Sequence, residues 1–219
     1  MPEKTKNFFF DLFFPKHCFC CKKEGEYLCQ DCQALLDISP AHQNYKTAAL
    51  DDLYYALPYQ NSIVKNLIRQ LKYEPFAKEL AKTLSSLILI HFQLLDNKPD
   101  FSNFNLIPLP LEKKRLKWRG FNQAEEIAKP LAEFFRLEIL KEAIVKIKKT
   151  LPQAELKDDN QRKENIKNAF FSKNPEKIKG RKILLVDDVY TTGATMEEAA
   201  RILKAAGAQK VVGIAACRG

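Results

Sequence analysis

ILLVDDVYTTGAT, residues 183–195, carries the strongest indication of fold class in the chain. An apolar run, Ile183–Val186, leads into two acids, Asp187 and Asp188, and then into a Thr/Gly turn heading a helical pattern from Thr195 to Ala206. Gly207 ends that pattern, and Lys210–Ala216 is a second apolar run. Strand, helix, strand with short connections is a βαβ unit, so the chain is α/β with a sheet at least partly parallel.

The turn carries chemistry as well as topology. Thr191, Thr192, Gly193, Ala194 and Thr195 offer backbone N–H groups and hydroxyls to one phosphate. Gly193 allows close approach, and the helix dipole favours the anion. Thr195 and Glu198 have the spacing of a capping box. The Gly-Lys-Thr of a nucleotide triphosphatase loop is missing. Asp187 and Asp188 would stand beside the phosphate at the carboxyl end of the strand, where such sheets bind ligands. They suit sugar hydroxyls, or action through Mg²⁺, and phosphate next to a diol-binding acid pair describes a ribose 5-phosphate pocket.

Further from this core, Ile63, Leu67, Ile68 and Leu71 fall at helical spacing, and a second helical pattern runs from Phe76 through Leu87. Asn105–Pro110 reads as a strand stopped by prolines. Asn122 heads a helix through Ile127, Ala128, Leu131 and Phe135, which Pro130 should kink or end early. Ala143–Ile147 is a further expected strand, and Thr150–Lys182 a long mobile loop with about one helical turn.

With 219 residues, 46% hydrophobic and 29% charged, the chain has the makings of one sizeable domain with a small appendage, and no run is long enough to cross a bilayer. The net charge of +9 is localised. Residues 1–32 hold 5 basic and 5 acidic side chains, 33–111 hold 7 and 7, and 183–219 hold 4 and 4. Residues 112–182 hold 20 basic against 11 acidic, densest at Lys113, Lys114, Arg115, Lys117 and Arg119. Two readings stand: a polyanionic partner, or a solvated lysine-rich surface. Trp118, among these cations, is likewise either a base-stacking group or a packing residue.

Cys18-x2-Cys21 and Cys29-x2-Cys32 supply four thiolates as two close pairs, suited to one tetrahedral ion. Zinc is the natural occupant, with an iron–sulfur centre as the alternative. Cys20 reads as a bystander, His17 as a substitute ligand, and Cys217 as core. The apolar stretch Asn7–Pro15 reads as an amphipathic helix docking Phe9, Phe10, Phe13 and Phe14 rather than a signal peptide. A cytoplasmic, reducing location then favours metal over disulfides.

VDDVYTTGAT resembles the phosphoribosyl pyrophosphate (PRPP) signature of type I phosphoribosyltransferases. Three further features resemble the ComF-type competence protein family: the paired CxxC knuckles, IPLPLEKKRLKWRGFNQAE at Ile107–Glu125, and TLPQAELKDDNQRKENIKNAF at Thr150–Phe170, with LKY at Leu71–Tyr73. The resemblance implies a type I phosphoribosyltransferase-like parallel sheet flanked by helices over residues 46–219, a zinc-binding appendage over 1–45, and a hood loop at about 150–180 that includes Gln153 and Arg162. It implies Zn on Cys18, Cys21, Cys29 and Cys32, and Asp187 and Asp188 as the catalytic pair on the ribose hydroxyls. The 5-phosphate falls to Thr191, Thr192, Gly193, Ala194 and Thr195, and the pyrophosphate to Lys113, Lys114 and Arg119, with Mg accompanying PRPP. The function implied is natural transformation, handling incoming single-stranded DNA with DNA-uptake proteins such as a helicase. The alternative is a salvage phosphoribosyltransferase. No residue stands out as its general base, and no C-terminal hood for a purine follows the last helix.

Overall fold

The computed structural model describes residues 15–73, 77–148 and 159–219. The expected helix with Phe9, Phe10, Phe13 and Phe14 lies outside the described residues, as does Gln153.

The central sheet contains β1 (Asp52–Pro58), β2 (Phe104–Pro108), β5 (Lys182–Tyr190) and β6 (Lys210–Arg218), in the order β1-β6-β5-β2, all parallel. β5 and β6 read as near-continuous apolar runs because both of their faces are covered. On one face Leu184, Val186 and Ile214 meet helices α2 (Ser62–Tyr73), α3 (Leu80–Leu94) and α5 (Gln123–Phe135) through Leu67, Leu84 and Leu131. On the other face Ile183, Leu185 and Val211 meet helix α7 (Ala194–Ala205) through Met196, Ala199 and Leu203. Gly213 makes the second contact close: a Cβ there would stand 2.6 Å from Met196 Sδ and 2.8 Å from Leu53 Cδ1.

The remaining α-helices and β-strands among the described residues are the short α1 (Gln30–Gln33), α4 (Lys113–Arg119), α6 (Asp159–Ile166), and the antiparallel pair β3 (Ile144–Lys146) and β4 (Phe170–Ser172). Among the described residues no helix is long and apolar enough to cross a membrane.

Three local expectations change. Pro130 does not end its helix early, since α5 runs through it to Phe135. The apolar stripe of Ile127, Ala128, Leu131 and Ala132 is buried on both sides of the proline, and that packing outweighs one missing N–H. The span expected as a long loop carries α6, β4 and a 3₁₀ turn at Pro175–Lys177 from residue 159 onward. Its charged sequence hid these because their few apolar anchors, Ile166, Phe170 and Ile178, are buried against the α7 side of the sheet. The capping box does not form. The N-cap of α7 is Gly193, and Glu198 accepts from the Asn168 N–H at 2.8 Å and pairs with Arg201.

Candidate functional site

β5 outruns its neighbour. Pairing with β2 stops at Val186, so Asp187 and Asp188 sit beyond the end of β2. Both acids are nonetheless buried, 8% and 2% exposed. Asp187 Oδ1 accepts the Asp188 N–H at 2.8 Å, and Lys72 Nζ lies 3.0 Å from Asp188 Oδ2. Burial first, and the Asp188 charge second, push the Asp187 carboxyl up to about 8 against the pull of Lys72. Burial alone would lower Lys72, but Asp188 and Asp187 outweigh it and hold the ammonium above its ordinary value.

A carboxyl raised from about 4 in the unfolded chain to about 8 in the fold contributes stability that is complete below pH 4 and lost as pH rises through 8. Asp187→Asn keeps the Oδ1 acceptor and removes the charge. The variant is expected to melt about 2–4 °C higher than wild type at pH 8, as for about 1 kcal/mol, with no gain at pH 4. Thermal melts at the two pH values check this.

The turn after the acids is built for close approach. Gly193 has φ +77°, and a Cβ there would stand 2.2 Å from Tyr190 Oη. The buried Tyr190 ring forms the floor. Its hydroxyl donates to Glu197 Oε1 at 3.0 Å and lies 3.1 Å from Tyr45 Oη, while Thr47 donates to Glu197 Oε2 at 2.7 Å. Above that floor, Val189, Tyr190, Thr191, Gly193, Ala194, Thr195 and Met196 line a shallow hollow at the head of α7. Thr191 is exposed, Thr192 and Thr195 half-buried, and Gly193 and Ala194 buried.

The three cations singled out in the sequence separate in space. Arg119 donates from Nε to the Lys72 carbonyl at 3.0 Å and from a terminal nitrogen to Gln123, within electrostatic reach of both acids. Lys113 and Lys114 are exposed, and Lys113 acts on Glu142. Two further cations face the acids. Lys72 is one; LKY carries it, but nothing local ties it to a carboxylate over a hundred positions away. Lys146 on β3 is the other: burial and then Arg115 draw it down to about 8 against the pull of Asp187. No sequence signal marks Lys146. Trp118 is 66% exposed and meets Tyr73, itself 57% exposed, edge-on at 6.2 Å. Cys217 is core: it is buried, and its thiol faces the Asp188 carbonyl at 3.7 Å. The side chain of Arg162, in α6, lies outside the description.

One ligand atom from each of Cys18, Cys21, Cys29 and Cys32 lies within 4.8 Å of all the others, and the Cys21 and Cys29 sulfurs are 3.5 Å apart. Tetrahedral Zn–S bonds of about 2.3 Å require sulfurs about 3.8 Å apart, so the four thiols fit one metal ion such as zinc. The first pair sits on a tight hairpin, with Lys22 at φ +67° and a His17–Glu24 bridge. Burial raises the Cys18 thiol, but backbone N–H groups of Cys21, Cys29 and Cys20 outweigh it and bring it down to about 6, toward the thiolate a metal needs. Asn66 Nδ2 on α2 donates to the Phe19 carbonyl at 3.1 Å, and Lys16 pairs with Glu79 at 2.6 Å, tying the hairpin to the helices.

The phosphoribosyl transferase domain family matches residues 118–218. DNA utilization protein YhgH of Shigella flexneri is 35% identical over 161 residues, 69% of this chain and 66% of that protein, so the match falls just short of two thirds of the relative's length. Competence protein F of Haemophilus influenzae is 35% identical over 109 residues, 48% of this chain and 46% of that protein. Competence protein ComFC of Streptococcus pneumoniae is 28% identical over 196 residues, 88% of this chain and 76% of that protein. With its phosphoribosyltransferase-type sheet, its acid pair before a Gly-centred turn and its four-cysteine cluster, the chain belongs to the ComF-type competence protein family.

Proposed function

We propose that this protein binds PRPP with Mg²⁺ and acts in natural transformation, handling incoming single-stranded DNA. The observation that carries the first half is the buried acid pair Asp187–Asp188 beyond the end of β2, followed at once by the open turn at Gly193. The carboxylates accept hydrogen bonds from the ribose 2- and 3-hydroxyls. The N–H groups and hydroxyls of Thr191–Thr195 receive the 5-phosphate, where the α7 dipole favours an anion. Arg119 and Lys72 lie on the acid-pair side, placed to meet the diphosphate, with Lys113 and Lys114 as outer contacts. Oxygen donors on a hard, buried site suit Mg²⁺, which when bound neutralises diphosphate charge. Zinc on the four cysteines serves structure, since four thiolates leave no open position.

The DNA role is supported by the names of the relatives and by the basic span 112–182, with 20 basic against 11 acidic residues. Calorimetric titration of the zinc-loaded protein with PRPP and Mg²⁺ tests the pocket. Binding is expected in the wild type and not in Asp187→Ala/Asp188→Ala; a wild type that binds nothing overturns the reading. Pyrophosphate release on adding free nucleobases would favour the salvage transferase instead.

A further inference from the structure

The geometry points to the exposed face of α4, together with Tyr73, as the surface that takes single-stranded nucleic acid: Trp118 and Tyr73 stack on unpaired bases while Lys113, Lys114 and Lys117 meet the phosphates. The inference rests on the DNA-handling reading above and gives it a place on the molecule.

α4 is unusual among the helices here in burying none of its residues. Its seven positions, KKRLKWR, carry five cations and no acid, and Leu116 and Trp118 stand out of the surface at 40% and 66% exposure. Such a helix gains little from packing on its own fold, and an exposed tryptophan is a typical anchor for a partner. Arg119 Nε bonds the carbonyl of Lys72, the residue before Tyr73, so the ends of α2 and α4 that carry the aromatic pair are tied together. Trp118 and Tyr73 meet at 62° between planes, leaving ring surface open to solvent. The same Lys72 pairs with Asp188, which links the platform to the acid pair.

Charge complementarity selects a polyanion, and the exposed rings select one with free π-faces. A duplex hides its bases in the stack, whereas every unpaired base offers a face, and stacking of this kind is indifferent to sequence. Lysines around an aromatic pair thus fit a single strand read by its backbone and its base faces.

Trp118 is the single tryptophan of the chain, so its emission reports on the platform directly. The zinc-loaded protein would be titrated with an oligothymidylate, with the same strand made abasic, and with its duplex. The single strand is expected to quench the emission and to bind more tightly than the other two. In anisotropy with a labelled strand, Trp118→Ala should weaken binding about fivefold or more, with Trp118→Phe retaining most of it. Replacing Lys113, Lys114 and Lys117 by Gln should reduce the slope of log affinity against log salt by about 2. PRPP titration of Trp118→Ala should match wild type, which shows that the variant is folded. Equal binding of the abasic strand or the duplex, or an unaffected Trp118→Ala, overturns the inference, as does concentration-dependent self-association that Trp118→Ala abolishes, which would give the patch to a second copy. A wild type that binds no strand at all removes the DNA-handling reading itself.

Discussion

Stripping the metal from the four-cysteine site is expected to lower the melting temperature by about 10 °C or more, not merely to loosen an appendage. Cys18, Cys29 and Cys32 are buried in the same apolar cluster as Leu67 and Leu84, which pack on the central sheet. Without an ion, three buried thiols and the exposed Cys21 lose the bonds that hold the hairpin closed. Structural zinc supplies about 10–16 kcal/mol of apparent binding energy in small peptides. If only about a third of that is felt globally, the loss of about 4 kcal/mol corresponds to about 8–16 °C for a chain of this size. Calorimetric melts before and after chelation, with metal analysis of the starting protein, make the measurement, and Cys32→Ser should reproduce the shift. Cys20→Ser, outside the cluster, should not. An unchanged melting temperature on complete metal loss would mean that the site is dispensable for the fold, and iron in place of zinc would revive the iron–sulfur alternative.

The second large effect is expected from one methyl group. Gly193→Ala places a Cβ at φ +77°, a conformation that costs an L-residue about 1–2 kcal/mol. It also drives that carbon to 2.2 Å from the Tyr190 hydroxyl. Tyr190 cannot yield cheaply, because its ring is buried and its hydroxyl is fixed between Tyr45 and Glu197. The turn must therefore move away from the position proposed for the phosphate. PRPP affinity should fall at least about a hundredfold, about 2.7 kcal/mol, and the melting temperature by several degrees. Calorimetric titration and a thermal melt read the two losses. Tyr190→Phe, which loses the hydroxyl but keeps the ring and the turn, should cost far less affinity. Equal affinities for Gly193→Ala and wild type would show that the turn does not hold the phosphate.

The difference between local and distant causes explains what was legible in the sequence. The βαβ unit was legible because β5, the turn and α7 follow one another without interruption, and a buried parallel strand writes itself as an unbroken apolar run. The Gly193 turn was legible for the same reason: its requirement is a backbone conformation, and one residue type declares it. The metal cluster could be read because four ligands come from fifteen consecutive residues, Cys18 to Cys32. Pro130 misled because local propensity forecasts a break that an apolar stripe on both sides overrules. The helix at Asp159–Ile166 is legible only as about one helical turn within an expected loop, because its sequence has almost no amphipathic signal.

The features legible along the chain are those whose physics is local: strand, turn, helix and knuckle. The electrostatics around the acid pair come from packing between distant elements. Lys72 comes from α2, Arg119 from the end of α4 and Lys146 from β3, and each faces the acids of β5 only after the helices and the small β3–β4 pair have packed against the sheet. Charge pairing depends on distance and on exclusion of water, and neither exists along the chain until burial has brought these residues together.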